Sequence, residues 1–434
     1  MRRKLPDPGT AFLASAAVGA LNTANARQPL SRTGRLSVLS FFAGWLTSEM
    51  PLHAIGWQVA ATAGFLRKGA LRTPAGWAGL ALSAWSWREL ADIWREGTRA
   101  GDVYEQALRR DLDAELVEGT LPAAQPRKDV LVRTRLARGP LMGLRKRYAH
   151  HVGLPYGDAG RRNTLDIWST PDLPHDAKAP VLLQVHGGAW IIGNKEQQAM
   201  PLMAHMADDG WVCVSINYRL SPRATWPDHI VDVKRAIAWV KANIADYGGD
   251  PERVAITGGS AGGHLSSLAA LTANEPAFQP RFEEVDTSVM AAVPFYGVYD
   301  WTNRDGTGRG DMEDVLARLV LKTTRQESPE VWEQASTMSW VGPDAPPFFV
   351  IHGSNDSLVP VEQARSFVSM LRAASKEPVV YAELPGAQHA FEVFDSARTL
   401  FTVGAVQRFL DTIVARDAQR RATERSAAEG SAAG

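Results

Sequence analysis

The segment Arg253-Val-Ala-Ile-Thr-Gly-Gly-Ser-Ala-Gly262 joins a short apolar run to a helical pattern through a turn of small residues. The apolar run Val254–Thr257 is bounded by polar and turn residues, which predicts a buried strand. The G-x-S-x-G pattern is a weak signal alone, but between a strand and a helix it is typical of a sharp turn that exposes a serine. Ser260 is therefore the candidate nucleophile. A phosphate-binding turn is disfavoured, because the Lys of a P-loop and the spacing G-x-G-x-x-G are both missing.

The chain on both sides of this turn alternates strand-like runs with amphipathic helical patterns. This alternation predicts an α/β fold with a mostly parallel central sheet and helices on both of its faces. The predicted strands are Thr164–Trp168, Val181–Val185, Trp211–Ile216, Val254–Thr257, Val289–Phe295, Phe348–Ile351 and Val379–Glu383. The predicted helices are Asp228–Asp246, Gly262–Thr272, Val361–Ser375 and Ala397–Arg416.

A second glycine motif, His186-Gly-Gly-Ala-Trp190, follows the predicted strand Val181–Val185. Two glycines just past a strand can turn their backbone N–H groups toward a common point. An oxyanion needs donors of this kind, fixed before the negative charge develops. The N–H groups of Gly187, Gly188 and Ala261 are therefore predicted to form an oxyanion hole, with His186 as a side chain that braces the loop.

An acid and a base follow the last two predicted strands. Asp356 comes shortly after Phe348–Ile351, and His389 lies in the loop after Val379–Glu383. Serine is a poor nucleophile until a neutral imidazole accepts its proton, and a carboxylate fixes the tautomer of that imidazole. The sequence thus predicts a Ser260, His389 and Asp356 triad, with Asp300 as a weaker candidate for the acid.

Composition excludes several other classes of protein. The chain has 434 residues with 47 basic and 47 acidic side chains, so its charge gives no reason to expect a nucleic-acid partner. Cys213 is the only cysteine, which rules out an intramolecular disulfide and a multi-cysteine metal site. It lies in the strand-like run Trp211–Ile216 and is interpreted as a core residue. No cluster of His, Asp or Glu suggests a metal, and no cofactor is predicted.

The motifs together resemble a known family. His186–Trp190, Asn217-Tyr-Arg-Leu-Ser-Pro222, Pro227 with Asp232, Gly258–Gly263, Asp356 with Val359-Pro360, and His389 look like the carboxylesterase/lipase family related to hormone-sensitive lipase. Actinobacterial members with an apolar N-terminal extension look most similar. The resemblance covers roughly residues 150 to 412. It implies the α/β-hydrolase fold and hydrolysis of a small-molecule or lipid ester by the triad named above.

Two positions depart from the family pattern. Gly259 stands where the branch related to hormone-sensitive lipase usually has Asp, and Ala189 stands where many relatives have a third glycine. The methyl group of Ala189 makes bulky esters of tertiary alcohols less expected as substrates. Two other functions stay open at this point. An amidase-type hydrolase such as an arylformamidase or peptidase would use the same triad, and a non-catalytic hydrolase-fold binding module usually loses one of its members.

The resemblance leaves the outer regions of the chain to be interpreted by composition. Residues 101–150 are charged and are expected to form a helical linker or part of a cap, and 151–412 the catalytic domain. An insertion at about 299–340, with the helical pattern Met312–Leu321, is the expected cap. Trp190, Trp301 and Trp340 could line an acyl pocket, although a tryptophan is more often core. Residues 413–434 are expected to end a helix and continue as a disordered tail.

The first 100 residues are apolar, poor in acids and rich in Ala, Gly, Trp and Leu. Within them, Leu36–Leu66 carries a single acid, Glu49, beside Pro51, which predicts a hairpin of two marginally hydrophobic helices. Basic residues flank this hairpin on both sides, as the positive-inside rule expects. The hypothesis is therefore membrane attachment through residues 1–100 and a membrane-associated location.

Two alternatives compete with this hypothesis. Arg2-Arg-Lys4, the apolar run Ala11–Leu21 and the sequence Ala24-Asn-Ala26 loosely fit a secretory signal peptide. The apolar uncharged runs are also mostly shorter than the ~20 residues that span a bilayer, so they fit a helical domain packed on the catalytic core. A cytoplasmic or exported location follows from these alternatives.

Overall fold

The structure is a computed structural model that describes residues 7–112 and 142–432. Within these residues, eight strands form one sheet in the order β1-β2-β4-β3-β5-β6-β7-β8. Strands β3 to β8 pair in parallel, whereas β2 is antiparallel to both of its neighbours. The strands are β1 Ala149–Pro155, β2 Thr164–Trp168, β3 Ala179–Val185, β4 Val212–Ile216, β5 Gly249–Gly259, β6 Ala291–Phe295, β7 Phe348–Gly353 and β8 Val379–Leu384.

The predicted α/β architecture is confirmed, and each of the seven predicted strands is present. The eighth strand, β1, was not predicted. It is an edge strand that pairs only with β2, and its side chains are mostly exposed. An exposed edge strand lacks the apolar run that identifies the central strands. Its pair His150-His151 looks in the sequence like a solvated surface segment.

The described residues also form helices, several of which cover the two faces of this sheet. They are α1 Pro8–Arg27, α2 Gly34–Glu49, α3 Pro51–Arg67, α4 Pro74–Thr98, α5 Ala100–Asp111, α6 Met142–Tyr148, α7 Met200–Asp208, α8 Asp228–Asn243, α9 Ala261–Leu271, α10 Gly310–Val315, α11 Pro329–Ala335, α12 Val361–Ala374 and α13 Ala397–Ala432. Neighbouring side chains of β3 alternate between two buried clusters. Leu183 packs in the cluster that holds Ile237 of α8 and Leu265 of α9. Leu182 packs in the cluster that holds Met203 of α7 and Phe409 of α13. The alternation explains why a central strand is apolar at every position.

The charged segment 101–150 contributes to the second of these clusters. Tyr104 of α5 is buried, and its hydroxyl lies 2.7 Å from the Thr402 hydroxyl of α13. The α5 helix thus covers one face of the sheet and does not act as a free linker. The linker or cap contribution expected for the remainder falls largely on 113–141, which lies outside the described residues.

The structure also bears on the expectations for the C-terminal tail, for two of the tryptophans and for Cys213. The α13 helix continues to Ala432, past the point where a disordered tail was expected, because its end is built from helix-forming Ala, Arg and Glu residues. Trp190 and Trp301 are buried against each other in the core, with ring centroids 4.7 Å apart. Cys213 is also fully buried.

The apolar N-terminal region forms four helices that contact the catalytic part of the chain. The predicted break at Pro51 is where α2 and α3 meet. Arg32 donates hydrogen bonds to the Ser354 carbonyl and the Asn355 side chain, and Glu49 forms a buried ion pair with Arg398. In residues 7–112 and 142–432, no helix is both long and apolar enough to pass through a membrane. The predicted membrane-spanning hairpin is therefore not supported.

Candidate active site

Ser260 occupies a turn between β5 and α9 that only small neighbours permit. Its backbone has φ 59° and ψ −119°, a strained conformation for an L residue. A Cβ atom on Gly262 would lie 2.1 Å from the Val185 carbonyl oxygen, and one on Gly258 would lie 2.5 Å from the Gly262 carbonyl oxygen. The Ser260 N–H donates to the Phe295 carbonyl at 3.0 Å. The glycines of the motif are therefore required by close backbone contacts around the serine.

Gly259, the departure from the family pattern, has a local structural cause. A Cβ atom at this position would lie 2.6 Å from the Tyr296 hydroxyl and 2.8 Å from its ring. Tyr296 cannot easily move, because it is buried and its hydroxyl donates a hydrogen bond to Glu392. The space that a side chain at 259 would fill is thus taken by Tyr296.

We predict that Gly259→Ala destabilises the protein by about 1–3 kcal/mol, the usual cost of overpacking a filled site, and lowers esterase activity. The matched control is Gly310→Ala at the start of α10, where an added Cβ meets no atom within 4 Å. Urea unfolding and hydrolysis of p-nitrophenyl butyrate measure the two effects. Equal unfolding free energies for both variants would contradict the steric explanation.

His389 and Asp356 are in direct contact, as the sequence predicts for a base and its acid. The loop after β8 holds His389, and the loop after β7 holds Asp356. His389 Nδ1 lies 2.6 Å from Asp356 Oδ2. Asp356 Oδ1 accepts hydrogen bonds from the N–H groups of Leu358 and Val359, each at 2.8 Å. Both oxygens of the carboxylate are therefore engaged, and the imidazole is held in one orientation.

The surroundings of Asp356 favour its ionised form. Burial by itself raises the pKa of this carboxyl group, but electrostatic interactions and hydrogen bonds with His389 and His352 outweigh burial and hold the pKa below its usual range. His352 Nε2 lies 3.2 Å from Oδ2 and 3.0 Å from the Val359 carbonyl oxygen. A carboxylate that stays ionised can stabilise the cation that His389 forms when it takes a proton.

The glycine loop borders Ser260, and one of its predicted oxyanion donors already has an acceptor within the protein. A Cβ atom on Gly187 would lie 3.2 Å from the Ser260 Cβ. The Gly187 N–H, however, donates to Gln198 Oε1 at 2.6 Å, so this group is already engaged. Within the described residues, the N–H groups of Gly188 and Ala189 have no acceptor. Ala261 is the first residue of α9, where a helical N–H has no partner within the helix.

His186 has the bracing role that the sequence suggests. Its Nδ1 lies 2.8 Å from the Gly187 carbonyl oxygen, and its ring stacks on Tyr218 with centroids 4.3 Å apart. Burial lowers the pKa of His186 to about 4, so the ring is neutral at pH 7. The alternative acid, Asp300, accepts hydrogen bonds from Thr302 and Arg304 and caps its own loop. The structure thus brings Asp356, and not Asp300, to His389.

Several residues at the site carry no motif and were missed in the sequence. The Phe41 ring of α2 meets the His389 ring edge-on at 6.1 Å, and Trp45 Nε1 donates to the Ala390 carbonyl at 2.9 Å. Arg309, from the insertion 299–340, donates to the carbonyl groups of Ser357 and Leu358 next to the acid. The N-terminal helices and the insertion therefore both support the loops that carry Asp356 and His389.

Glu392 is a buried carboxyl group close to His389. Its Oε1 accepts the hydrogen bond from Tyr296, whose ring lies 4.5 Å from the His389 ring. Burial, the largest effect, raises the pKa of Glu392 from 4.5 to about 7. The folded protein therefore holds a proton on Glu392 over a pH range in which the unfolded chain has lost it.

This difference predicts a dependence of stability on pH. The stabilising contribution of neutral Glu392 is complete below about pH 4.5 and is lost as the pH rises through about 7. Glu392→Gln cannot ionise, so the parent should lose stability relative to this variant between pH 5 and 8. Urea unfolding of both proteins across this range measures the difference. A difference in unfolding free energy that is independent of pH would contradict the raised pKa.

Comparisons with known proteins identify relatives of this chain. A family model described as BD-FAE matches residues 165–371. A Mycobacterium tuberculosis protein named "Probable carboxylic ester hydrolase LipM" is 50% identical over 405 residues, which cover 93% of each chain. "Esterase LipQ" of the same organism is 43% identical over 410 residues, covering 93% of this chain and 91% of its own.

A solved structure shares the fold of the catalytic part. It is a truncated carbohydrate esterase from gut microbiota, 26% identical, with a TM-score of 0.53 over 61% of this chain and 97% of its own. The high identity to LipM and LipQ extends further, over nearly the whole length. The chain therefore belongs to the α/β-hydrolase family of carboxylic ester hydrolases that includes LipM and LipQ, and it is a carboxylesterase.

Proposed function

We propose that the protein hydrolyses carboxylic esters through a Ser260, His389 and Asp356 triad and an acyl-enzyme intermediate. The observation that carries this proposal is the 2.6 Å contact between His389 Nδ1 and Asp356 Oδ2. A carboxylate can only accept a hydrogen bond, so Nδ1 carries the proton and Nε2 of the neutral ring is free to take another. The imidazole is thus prepared as a general base.

In the first half of the reaction, Ser260 Oγ attacks the carbonyl carbon of the ester and its proton passes to His389 Nε2. The resulting oxyanion accepts hydrogen bonds from the Gly188, Ala189 and Ala261 N–H groups, while the positive N-terminal end of α9 favours its charge. The tetrahedral intermediate then collapses, and the bond to the alcohol oxygen breaks. His389 returns its proton to the leaving alcohol, which leaves the acyl group on Ser260.

In the second half, water attacks the acyl carbon and gives a proton to His389 Nε2. Collapse of this second intermediate breaks the bond to Ser260 Oγ, which takes the proton back from His389. The sum is one ester and one water converted to one acid and one alcohol. Throughout, ionised Asp356 stabilises the His389 cation.

The proposed catalytic domain is 151–412, and its site is covered from two sides. The α2 helix contributes Phe41 against the His389 ring. The insertion 299–340 contributes Arg309, which also donates to the Gly34 carbonyl at the start of α2. We therefore assign the cap jointly to the insertion and to the N-terminal helices. Small-molecule or lipid esters remain the proposed substrates.

A fluorophosphonate probe tests the proposed nucleophile directly, since it reacts with serines that a base has activated. Peptide mass spectrometry of the labelled full-length protein should place the adduct on Ser260. His389→Ala should abolish this labelling, and the heat-denatured parent should not react. An adduct on another serine, or equal labelling of the denatured chain, would refute the assignment. An absence of labelling in the folded parent would favour the non-catalytic binding module.

A further inference from the structure

In the N-terminal helices, the distribution of apolar and polar side chains is the reverse of that in ordinary water-exposed helices. Their buried faces consist largely of small and polar side chains, and large apolar side chains point outward. The α2 helix is the clearest case: its buried residues are Ser37, Ser40, Phe41, Gly44, Thr47, Ser48 and Glu49, and exposed ones include Leu36, Leu39, Phe42 and Leu46. In α4, the buried residues include Gly76, Gly79, Ser83 and Ser86, whereas Trp77 and Trp85 are exposed.

Polar side chains hydrogen-bond across these helix interfaces. Thr23 Oγ1 of α1 lies 2.6 Å from Ser86 Oγ of α4. Asn25 Nδ2 donates to the Ser40 carbonyl of α2 at 2.7 Å. A Cβ atom on Gly44 would lie 2.7 Å from the same Asn25 nitrogen, so the glycine is what allows the approach. Small residues and polar pairs hold helices together in lipid. Large apolar side chains have no hydrophobic driving force to become buried there, because the lipid is itself apolar.

The outward face of these helices concentrates the exposed apolar side chains of the protein. In the described part of the chain, 17 large hydrophobic side chains are exposed, and 14 of them lie between Val18 and Trp85. Trp57 is 78% exposed and Val18 is 71% exposed. Exposed apolar surface of this extent marks an interaction site. A groove of about 740 Å³ between α1, α2 and α3 adds to this surface, with Val18, Leu46 and Trp57 in its lining.

The exposed charges between Pro8 and Arg88 are of one sign, whereas the last part of α4, beyond Arg88, carries the acids Glu89, Asp92 and Glu96. Between Pro8 and Arg88 the single acid is Glu49, which is buried and paired with Arg398. The exposed charged side chains there are basic: Arg27, Arg32, Arg35, Arg67, Lys68, Arg72 and Arg88. Arg35, Arg67, Lys68 and Arg72 form no ion pair with a described residue. An apolar face bordered by unpaired cations is complementary to a lipid surface with anionic headgroups.

We propose that the outward face of α1 to α4 binds the surface of a lipid bilayer that contains anionic headgroups, without crossing it. The exposed Leu, Val, Phe and Trp side chains contact the acyl chains, and the basic residues contact the headgroups. The proposal rests on packing and charge alone and is independent of the catalytic assignment. It also places the inner side of α2, with Phe41 on His389, directly below the lipid.

Vesicle flotation with the full-length protein tests this proposal. The parent should float with vesicles that contain phosphatidylglycerol. Combining Val18→Glu, Leu39→Glu and Trp57→Glu should lower the bound fraction about tenfold or more, because each places a charge in the apolar face. The matched control combines Val152→Glu and Val285→Glu, two exposed apolar positions outside these helices, and should float like the parent. Circular dichroism and thermal unfolding check that every variant is folded.

Further experiments separate the contribution of charge to vesicle binding from that of the apolar side chains. They also test for a competing partner. Arg67→Gln, Lys68→Gln and Arg72→Gln together should weaken binding to phosphatidylglycerol vesicles and leave binding to pure phosphatidylcholine vesicles unchanged. A parent that floats with neither vesicle would overturn the proposal, as would an equal loss in the control variant. Sedimentation velocity without lipid provides a third outcome. A parent dimer that the three glutamates convert to a monomer, with no vesicle binding, would assign the face to a second copy of the chain instead.

Discussion

Replacement of Ser260 with alanine is expected to lower kcat for p-nitrophenyl butyrate by a factor of about 10⁶, the scale seen when a triad nucleophile is removed. Without Oγ no acyl-enzyme can form, and only binding and the oxyanion donors remain to assist water. The fold should be unaffected, because the strained turn is set by backbone contacts of the glycines and of the Ser260 N–H. Steady-state kinetics and thermal unfolding of the purified variant measure both effects.

The matched control is Ser267→Ala in α9, the helix that follows Ser260. Ser267 is buried like a core residue, and its hydroxyl donates to the Gly263 carbonyl at 2.7 Å. Its loss should change stability slightly and leave kcat near the parental value. Hydrolysis by Ser260→Ala at close to the parental rate would refute the proposed mechanism. A large loss of kcat in Ser267→Ala alone would show that the nucleophile is not Ser260 and would assign that role to another position.

Asp356→Asn is expected to lower kcat by a factor of about 10⁴, as the equivalent change does in other serine triads. The asparagine amide can donate to Nδ1, which would place the imidazole proton on Nε2 and remove the acceptor for Ser260. It would also remove the charge that stabilises the His389 cation. Because Asp356 Oδ1 accepts two backbone N–H groups, the loop should keep its shape if the asparagine oxygen takes this position.

Asp300→Asn provides the control for this second prediction. Asp300 is also buried and accepts several hydrogen bonds, but these come from Thr302 and Arg304 of its own loop and from Ser336. Its replacement should affect stability more than turnover. Near-parental kcat in both variants would show that the acid is misassigned. A loss of turnover confined to Asp300→Asn would transfer the role to that residue.

The sheet and the order of the candidate triad residues along the chain were predictable because their signals are local. Strands such as β7 are buried on both faces, so they read as unbroken apolar runs bounded by turn residues. Ser260, Asp356 and His389 each follow such a run, and the carboxyl ends of parallel strands lie at one edge of the sheet. Their approach could therefore be expected from the sequence, and the contact between Asp356 and His389 agrees with it.

Which N–H groups of the glycine loop are free to bind an oxyanion could not be predicted in the same way. Two glycines after a strand indicate free N–H groups, but a donor is free only if no distant acceptor reaches it. The Gly187 N–H donates to the side chain of Gln198, which lies eleven residues further along the chain. Gly259 is similar, since the clash that excludes a side chain there comes from Tyr296 on the neighbouring strand's loop.

The amino-acid sequence alone determined the α/β sheet, the turn at Ser260 and the candidates for the acid and base, because hydrophobic periodicity and turn chemistry act between near neighbours. Only the tertiary structure decided what the first 100 residues do around the site. Apolar helices rich in Ala and Gly have the same composition whether they cross a bilayer or pack on a protein. Which of these two arrangements the helices adopt depends on long-range contacts such as Glu49 with Arg398 and Phe41 with His389. These contacts connect positions about 350 residues apart.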